Sequence, residues 1–355
     1  MQAGIVGMGI MGRLLALALH NAGWQVTLFD QSFGASNCSL AAAGLLTPFS
    51  ELDKATALIS YLGQESIGIH WPRIIEQLSA SVYFQRSGTL VVCHPRDQAE
   101  WQIFSRRIAS QMVQNRSFFK PLNKTDLRQL EPELTQFESA YYFPDEGHID
   151  CQSLMSALQN YFDINNLTLH VNTAVIAIAP RSITTNISTH HFDLVFDCRG
   201  LGAHETFNNL RALRGELIWL HAPEVQLKRP LRVLHPRYNL YIVPRPGNVY
   251  LVGASEIEAN DLSPISVRTT LELLTAAYYV HAGFSEARII KTVTHCRPTL
   301  FNHLPCIKST DGLIAVNGLY RHGYLIAPAL AEEILRSLSG QHQSNRYPEI
   351  WECFT

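Results

Sequence analysis

The stretch AGIVGMGIMGRLLALALHNAGWQVTLFD, residues 3–30, decides how the chain begins to fold. It consists of a short apolar strand, a G-x-G-x-x-G turn at Gly7, Gly9 and Gly12, a helical run and a second apolar strand. The first glycine of such a turn permits the tight bend, the second lets the backbone approach a pyrophosphate, and the third lets helix and strand pack closely. The stretch therefore predicts a βαβ unit that binds a dinucleotide.

Asp30 supports the same interpretation from the end of the second strand. It follows Gly12 by 18 residues, near the spacing expected for a carboxylate that binds ribose hydroxyls, and it would repel a 2′-phosphate. The helix between the strands would offer unpaired N–H groups and a partial positive charge to the phosphates. The motif leaves open whether the dinucleotide is FAD or NAD.

Composition and charge exclude several classes of protein. The 355 residues are enough for two domains with a substantial core, and 46% of them are hydrophobic. The net charge of −2 gives no basic excess for binding nucleic acid or an anionic membrane. The apolar N-terminus lacks the basic region of a signal peptide, and no uninterrupted apolar run is long enough to span a bilayer.

Cysteine and histidine spacing argues against a metal site. The seven cysteines are odd in number and include no C-x-x-C pair, so we expect neither a disulfide framework nor a thiolate zinc site. His190 and His191 are adjacent and would face opposite ways on a strand. The cysteine content favours a reducing compartment, so we expect a cytoplasmic protein.

The segments after Asp30 alternate between helical and strand patterns. Small residues dominate residues 34–44, which suits backbone lying against a flat ligand or a helix start capped by Ser36 or Ser39. The predicted elements that follow are helices over 51–80, 97–115 and 124–131, a hairpin over 82–92, and strands over 140–143, 167–178 and 192–196.

Residues 213–300 change character. The predicted elements here are strands over 217–220, 238–245 and 249–254, a turn at 246–248 and a helix over 263–280. They indicate an antiparallel sheet with a helix on it, not a second dinucleotide-binding unit. A strand over 312–320 and a helix over 328–338 complete the chain.

Eight motifs occur in an order that extends over nearly the whole chain. They are GIVGMGIMG at 4–12, AAAGLLTP at 41–48, DEGHID at 145–150, DCRGLGA at 197–203, RGE at 214–216, YIVPRPGNVYLVGAS at 241–255, CRPTLFNHLPCI at 296–307 and GLYRHGYLIAPALAE at 318–332. In this order they resemble the FAD-dependent amine oxidases of the D-amino acid oxidase superfamily, in particular the glycine oxidases of thiamine biosynthesis. The resemblance implies an α/β fold with a Rossmann-type FAD-binding domain (1–80, 145–210 and 298–355) and a substrate-binding domain of antiparallel sheet plus helix (81–144 and 211–297).

The same resemblance assigns site residues. Arg297 matches the arginine that clamps the substrate carboxylate, and its guanidinium fork suits that task better than a lysine. Tyr241 matches a tyrosine that hydrogen-bonds the same carboxylate, and Arg321 matches a second pocket residue. The positions implied to contact FAD are Gly7, Gly9, Ile10, Met11, Gly12, Asp30, Cys38, Ser39, Ala43, Gly44, Leu45, Val175, Leu319, Tyr320, Arg321, His322, Gly323, Tyr324 and Leu325.

The activity implied by the resemblance is oxidation of glycine, sarcosine or a small D-amino acid by non-covalently bound FAD. Dioxygen would reoxidise the flavin to give hydrogen peroxide. The imine would hydrolyse to the 2-oxo acid and ammonia or pass to thiazole synthesis, with thiazole synthase as a partner. The sequence leaves the preferred amino acid and the oligomeric state open, a homo-oligomer included.

Two residues and three rival functions qualify this interpretation. Glu256 stands where the glycine oxidase pattern has an apolar residue, and Cys296 falls where a related sarcosine oxidase tethers its flavin. The rivals are an amino acid dehydrogenase that passes electrons to a quinone, a non-catalytic flavoprotein, and an NAD-dependent β-hydroxyacid dehydrogenase. The last of these would continue into an all-helical domain, whereas residues 213–300 are rich in strand patterns.

Overall fold

The computed structural model describes residues 1–32, 37–111, 118–236, 240–339 and 345–354. The helices are α1 Ile10–Asn21, α2 Ala57–Glu65, α3 Trp71–Gln77, α4 Gln98–Gln111, α5 Lys124–Leu130, α6 Cys151–Ile164, α7 Val267–Val280 and α8 Gly323–Leu338. The strands are β1 Gln2–Val6, β2 Gln25–Phe29, β3 Leu45–Leu46, β4 Phe84–Gln85, β5 Thr89–Cys93, β6 Lys120–Asn123, β7 Ser139–Phe143, β8 Gly147–Ile149, β9 Thr168–His170, β10 Val175–Ala179, β11 Ser182–Thr185, β12 Thr189–His191, β13 Leu194–Asp197, β14 Arg211–His221, β15 Leu231–Leu234, β16 Leu240–Arg245, β17 Val249–Gly253, β18 Ile257–Glu258, β19 Arg288–Thr299, β20 Cys306–Thr310, β21 Leu313–Asn317 and β22 Trp351–Cys353.

The first large sheet is mostly parallel and has the strand order β22-β20-β21-β13-β1-β2-β9. β1 lies inside this sheet and pairs in parallel with β2, as the predicted βαβ unit requires, and with β13 on its other side. Residues 3–6 of β1 are all buried, because α1, α6 and α8 cover one face of the sheet and the small sheet β10–β12 covers the other. The carboxyl ends of β1, β2, β13 and β21 meet at one edge, which is where open α/β sheets bind ligands.

The second large sheet is mainly antiparallel and has the order β18-β14-β17-β16-β15-β5-β7-β6, with β19 pairing along β14. α7 packs on this sheet, where Leu273 and Ala277 join a buried cluster that includes Ile218 and Val252. The predicted antiparallel sheet with a helix on it is therefore confirmed. An NAD-dependent β-hydroxyacid dehydrogenase would have an all-helical domain in this part of the chain, so the antiparallel sheet argues against that rival. The predicted domain boundaries themselves stay a prediction.

The predicted hairpin over 82–92 is wrong. β4 pairs with β8 in a small sheet, whereas β5 pairs with β7 and β15 in the large one. Gly88 turns the chain between them with φ +76°, and a side chain there would lie 2.7 Å from Cζ of Tyr142. All of β5 is buried, so it needs a neighbour on each edge, and a two-stranded hairpin cannot supply both.

Several element boundaries also differ from the predictions. The helix predicted over 51–80 begins at Ala57 and contains a π-helical turn, Ser66–His70, between α2 and α3. The strand predicted over 167–178 divides into β9 and β10, because Asn172 adopts φ +52°. Three parts of the predictions fall on residues outside the described ranges: the end of the helix predicted over 97–115, the start of the strand predicted over 238–245, and Ser36, one of the two alternative caps.

The last helix begins at Gly323, five residues before the predicted start at Pro328. Pro328 has no N–H with which to bond the carbonyl of Tyr324, which normally disfavours proline inside a helix. Trp71 Nε1 donates to that carbonyl oxygen at 3.0 Å instead. A side chain distant in sequence therefore satisfies the backbone group that proline leaves unpaired.

Candidate active site

A cavity of about 740 Å³ lies between the two large sheets. Its wall includes residues at the carboxyl ends of β1, β2 and β21 and residues of β14, β16 and β19. A cleft at this edge of a parallel sheet is the expected place for a dinucleotide. The wall contains all the predicted contact positions except Gly12.

The glycine turn has the shape that a pyrophosphate needs. Gly7 adopts φ +102°, and a Cβ atom there would lie 2.5 Å from the carbonyl oxygen of Cys198. A side chain at Gly9 would meet only Ser39 Oγ, at 3.2 Å, so its backbone borders open space. Gly12 lies behind the turn, where a Cβ atom would overlap the carbonyl oxygen of Gly7. Gly12 therefore allows close packing and does not line the cavity.

Asp30 closes this end of the cavity and is tied to the turn. Its Oδ2 accepts from Met8 N at 2.6 Å, and its Oδ1 accepts from Ser32 N at 2.9 Å. The carboxylate is half-buried on the wall, near the first turn of α1, where the N-cap Gly9 has no side chain and Ser39 Oγ accepts from Ile10 N at 2.9 Å. The N–H groups of that turn and a fixed carboxylate beside them suit phosphates and ribose hydroxyls respectively.

A buried arginine that the sequence analysis did not identify holds the wall segment 43–45 in place. Arg245 Nη2 donates to the carbonyl oxygens of Ala43 and Ile149 at 2.7 and 2.9 Å, and Nη1 lies 2.8 Å from His148 Nδ1. Burial and the nearby guanidinium lower the pKa of His148 to about 3, so the imidazole is a neutral acceptor. Arg245 thereby fixes the backbone of 43–45, which lines the cavity.

Arg297 and Tyr241 lie together at the end of the cavity formed by the antiparallel sheet. The Arg297 guanidinium occupies the space above Gly215, where a Cβ atom would lie 2.5 Å from its Cζ, and Nη1 donates to Ser255 O at 3.3 Å. The Tyr241 hydroxyl lies over Gly253, 2.9 Å from where a Cβ atom would stand. Two glycines on neighbouring strands therefore make room for the two side chains that are predicted to bind the substrate carboxylate.

The electrostatic surroundings of these two side chains favour an anion. Among the described residues, no carboxylate lies within 4 Å of Arg297, whereas Arg199 in the same wall pairs with Asp197 at 2.8 Å. Burial, partly offset by Arg297, raises the pKa of Tyr241 to about 12, so its hydroxyl stays protonated and can donate. An unpaired guanidinium beside a neutral hydroxyl is suited to a carboxylate.

Arg321, the third predicted substrate residue, has a different environment. Its Nε lies 3.2 Å from Glu51 Oε2, and its Nη1 lies 3.8 Å from Glu256 Oε2. Burial acts to lower the pKa of Arg321, but these carboxylates outweigh it and raise the pKa. The side chain is thus paired on two sides, and its predicted role in substrate binding stays a prediction.

Three cysteines lie in the wall, Cys38, Cys198 and Cys296, and two of them, Cys38 and Cys296, stand at positions that the sequence linked to the flavin. Cys296 Sγ lies 3.4 Å from Ala259 O and 3.5 Å from Asp261 O, so the thiol is directed at the loop that carries these residues. Burial raises the pKa of Cys38 to about 11, so its thiol is not ionised at neutral pH. These contacts support packing roles for both side chains.

The described ranges contain no group of three His, Cys, Asp or Glu side chains placed to hold a metal ion. His190 and His191 lie in β12, where His190 Nε2 is 3.0 Å from Ser188 Oγ. Over the same ranges, no helix is both long and apolar enough to cross a bilayer.

The parallel sheet, the glycine turn and the cavity at the strand ends are the features of a dinucleotide-binding protein. Residues 2–336 match the family of FAD dependent oxidoreductases named DAO, so the chain belongs to that family. FAD is the cofactor of this family, and it fits the open backbone at Gly9 and the fixed carboxylate of Asp30. The predicted family, fold class and cofactor are therefore confirmed.

Known proteins of this kind resemble the chain along its length. A Rhizobium etli protein that carries the name thiamine biosynthesis oxidoreductase ThiO is 35% identical over 335 residues, which cover 94% of each chain. The crystal structure of glycine oxidase from Geobacillus kaustophilus superimposes with a TM-score of 0.87 at 20% identity and covers 99% of this chain and 98% of its own. A bifunctional protein ThiO/ThiG of Nostoc sp. is 24% identical over 344 residues, 92% of this chain and 51% of that one.

Proposed function

We propose that this chain oxidises glycine or a similar small amino acid, such as sarcosine or a small D-amino acid. The balanced reaction converts the amino acid, dioxygen and water to the 2-oxo acid, the amine or ammonia, and hydrogen peroxide. One observation carries the proposal: within the described part of the chain, Arg297 presents a guanidinium without a carboxylate partner beside the protonated hydroxyl of Tyr241. The names of the Rhizobium and Geobacillus relatives support the same chemistry.

The protein side chains act by binding and orientation. Arg297 would hold the substrate carboxylate with two charge-assisted hydrogen bonds, and Tyr241 would donate another. When bound, FAD supplies the two-electron oxidation. Two fixed donors at one end of the cavity restrict how a small substrate can lie, which lowers the entropic part of the barrier. α8 begins at Gly323 on the cavity wall, so its N-terminus stabilises negative charge there.

Further parts of the proposal concern the cofactor link, the partner and the compartment. We propose non-covalent FAD, because the Cys296 thiol is directed at the loop carbonyls of Ala259 and Asp261. A relative that is a bifunctional ThiO/ThiG protein supports transfer of the imine to a thiazole synthase. A cytoplasmic location stays a prediction from the cysteine content.

Anaerobic mixing tests the proposal. Glycine, sarcosine or a small D-amino acid should bleach the yellow holoenzyme, and Arg297→Ala should remain yellow while kcat/KM falls by about 100-fold or more. Arg288→Ala is the matched control, because Arg288 is an exposed residue of the same strand. An Arg297→Ala enzyme with the parent kinetics would remove Arg297 from its role. Bleaching by none of these amines would favour the non-catalytic flavoprotein.

The electron acceptor needs a separate measurement. After reduction by substrate, an oxidase returns to the yellow form in air and releases one hydrogen peroxide per amine. An amino acid dehydrogenase, the second candidate from the sequence, would reoxidise slowly in air and rapidly with a quinone or dye. The yield of hydrogen peroxide in air, compared with the rate of dye reduction, therefore distinguishes the oxidase from the dehydrogenase.

A further inference from the structure

Glu256 is fixed on the cavity wall by two neighbours. Tyr320 Oη donates a hydrogen bond to Glu256 Oε1, and Arg321 Nη1 lies 3.8 Å from Glu256 Oε2. Tyr320 has a left-handed backbone, φ +53°, which a bulky side chain rarely adopts, and burial raises its pKa above the ordinary range. A neutral hydroxyl in a constrained position thus keeps the carboxylate in the cavity.

The charges around Glu256 leave room for one anionic group. Arg321 is already neutralised by Glu256 on one side and by Glu51, 3.2 Å from its Nε, on the other. Arg297 is the cavity arginine that lacks a carboxylate within 4 Å among the described residues. One substrate carboxylate would neutralise Arg297. A second carboxylate on the same ligand would meet the negative charge of Glu256, and the described wall offers it no arginine without a carboxylate partner.

We propose that Glu256 is a specificity-determining residue that restricts the cavity to amines with one carboxylate and discriminates against acidic amino acids and N-carboxymethyl amino acids. The inference rests on the proposed function, since it requires that Arg297 bind the substrate carboxylate. Like charges that approach each other in a partly desolvated site oppose binding strongly. Glu256 acts through its charge, so an uncharged side chain of similar length should relax the discrimination.

The test compares two substrates that differ by one carboxylate, sarcosine and iminodiacetate. The measured quantity is the ratio of kcat/KM for iminodiacetate to kcat/KM for sarcosine, using the yellow holoenzyme. Glu256→Gln should raise this ratio at least about tenfold, because it removes the repelling charge. Glu258→Gln is the matched control: Glu258 lies two residues away, pairs with Arg211 at 2.6 Å and does not line the cavity.

A binding measurement separates specificity from catalysis. Methoxyacetate and oxydiacetate lack an amine and cannot be oxidised, and their binding is followed through the visible absorption of the bound flavin. Glu256→Gln should strengthen oxydiacetate binding relative to methoxyacetate by a similar factor. If Glu256→Gln does not retain flavin, Glu256→Met provides a second neutral side chain and should change the ratios in the same direction.

The outcomes distinguish this inference from the proposed function. Unchanged ratios in both assays, with methoxyacetate binding that Arg297→Ala abolishes, would overturn the role of Glu256 alone. Methoxyacetate binding that is insensitive to Arg297→Ala would overturn the proposed function instead. A wild-type enzyme that already prefers iminodiacetate to sarcosine would also contradict the inference.

Discussion

Gly215→Ala should disable the substrate site without disturbing the fold. Gly215 lies within β14, its φ is outside the left-handed region, and alanine is tolerated in a strand at least as well as glycine. A methyl group there would lie 2.5 Å from Cζ of Arg297, whereas carbon atoms pack at about 3.5–4.0 Å. The guanidinium must therefore move by about 1 Å, away from the position in which it donates to Ser255 O.

The size of the effect follows from the bond that is lost. A hydrogen bond to a charged group contributes about 1.5–3 kcal/mol, which corresponds to about a 10- to 150-fold fall in kcat/KM for glycine. The loss should appear with FAD still bound, because Gly215 lies far from the glycine turn in the fold, on the other large sheet. A displacement of about 1 Å in a positioning group is enough for a rate effect of this size.

The assay measures anaerobic flavin reduction by glycine together with the flavin content of the purified variant. Gly68→Ala is the control, since Gly68 is exposed and a Cβ atom there has no neighbour within 4 Å. A Gly215→Ala enzyme that matches the parent in reduction rate and apparent affinity would refute the reasoning. A variant that lost flavin and activity together would show that Gly215 matters for folding and not for the position of Arg297.

Two further predictions concern stability. His148→Gln should reduce the loss of folding stability at acid pH. In the folded parent protein the pKa of His148 is lowered to about 3, so below about pH 6.5 the unfolded chain takes up a proton that the folded chain does not. The parent protein therefore loses stability as the pH falls below about 6.5. Between pH 6 and pH 5 the parent should lose about 1 kcal/mol more than the variant in urea unfolding, and parallel profiles would contradict this. Trp71→Phe should lower the unfolding free energy by about 1–3 kcal/mol, because the Tyr324 carbonyl in α8 loses its donor; an unchanged melting temperature would show that the bond at 3.0 Å contributes nothing.

The cofactor end of the site could be predicted because local sequence determines it. The glycine turn, the helix after it and Asp30 all belong to one βαβ unit, and their contacts, such as Met8 N to Asp30 Oδ2 at 2.6 Å, join neighbouring elements. The substrate end is different. Gly215 and Gly253 carry no local signal for a cavity, since their significance is the space they leave for Arg297 and Tyr241 on other strands. Gly253, inside the strand predicted over 249–254, offered one clue, whereas Gly215 lies outside the strand predicted over 217–220.

The charge of the substrate site could not be predicted for a related reason. Likeness to a family transfers residue types to positions, but the charge that a ligand meets depends on which side chains pair with each other. The sequence predicts that Arg321 binds substrate, which stays a prediction, but it gives no sign that Glu51 and Glu256, from distant parts of the chain, lie beside Arg321. Two cavity arginines with the same formal charge are therefore not equivalent, and only Arg297 is free among the described wall residues to bind an incoming carboxylate. We therefore expect substrate selectivity in this chain to depend on which cavity side chains form ion pairs with each other, and less on the sequence motifs in which these side chains occur.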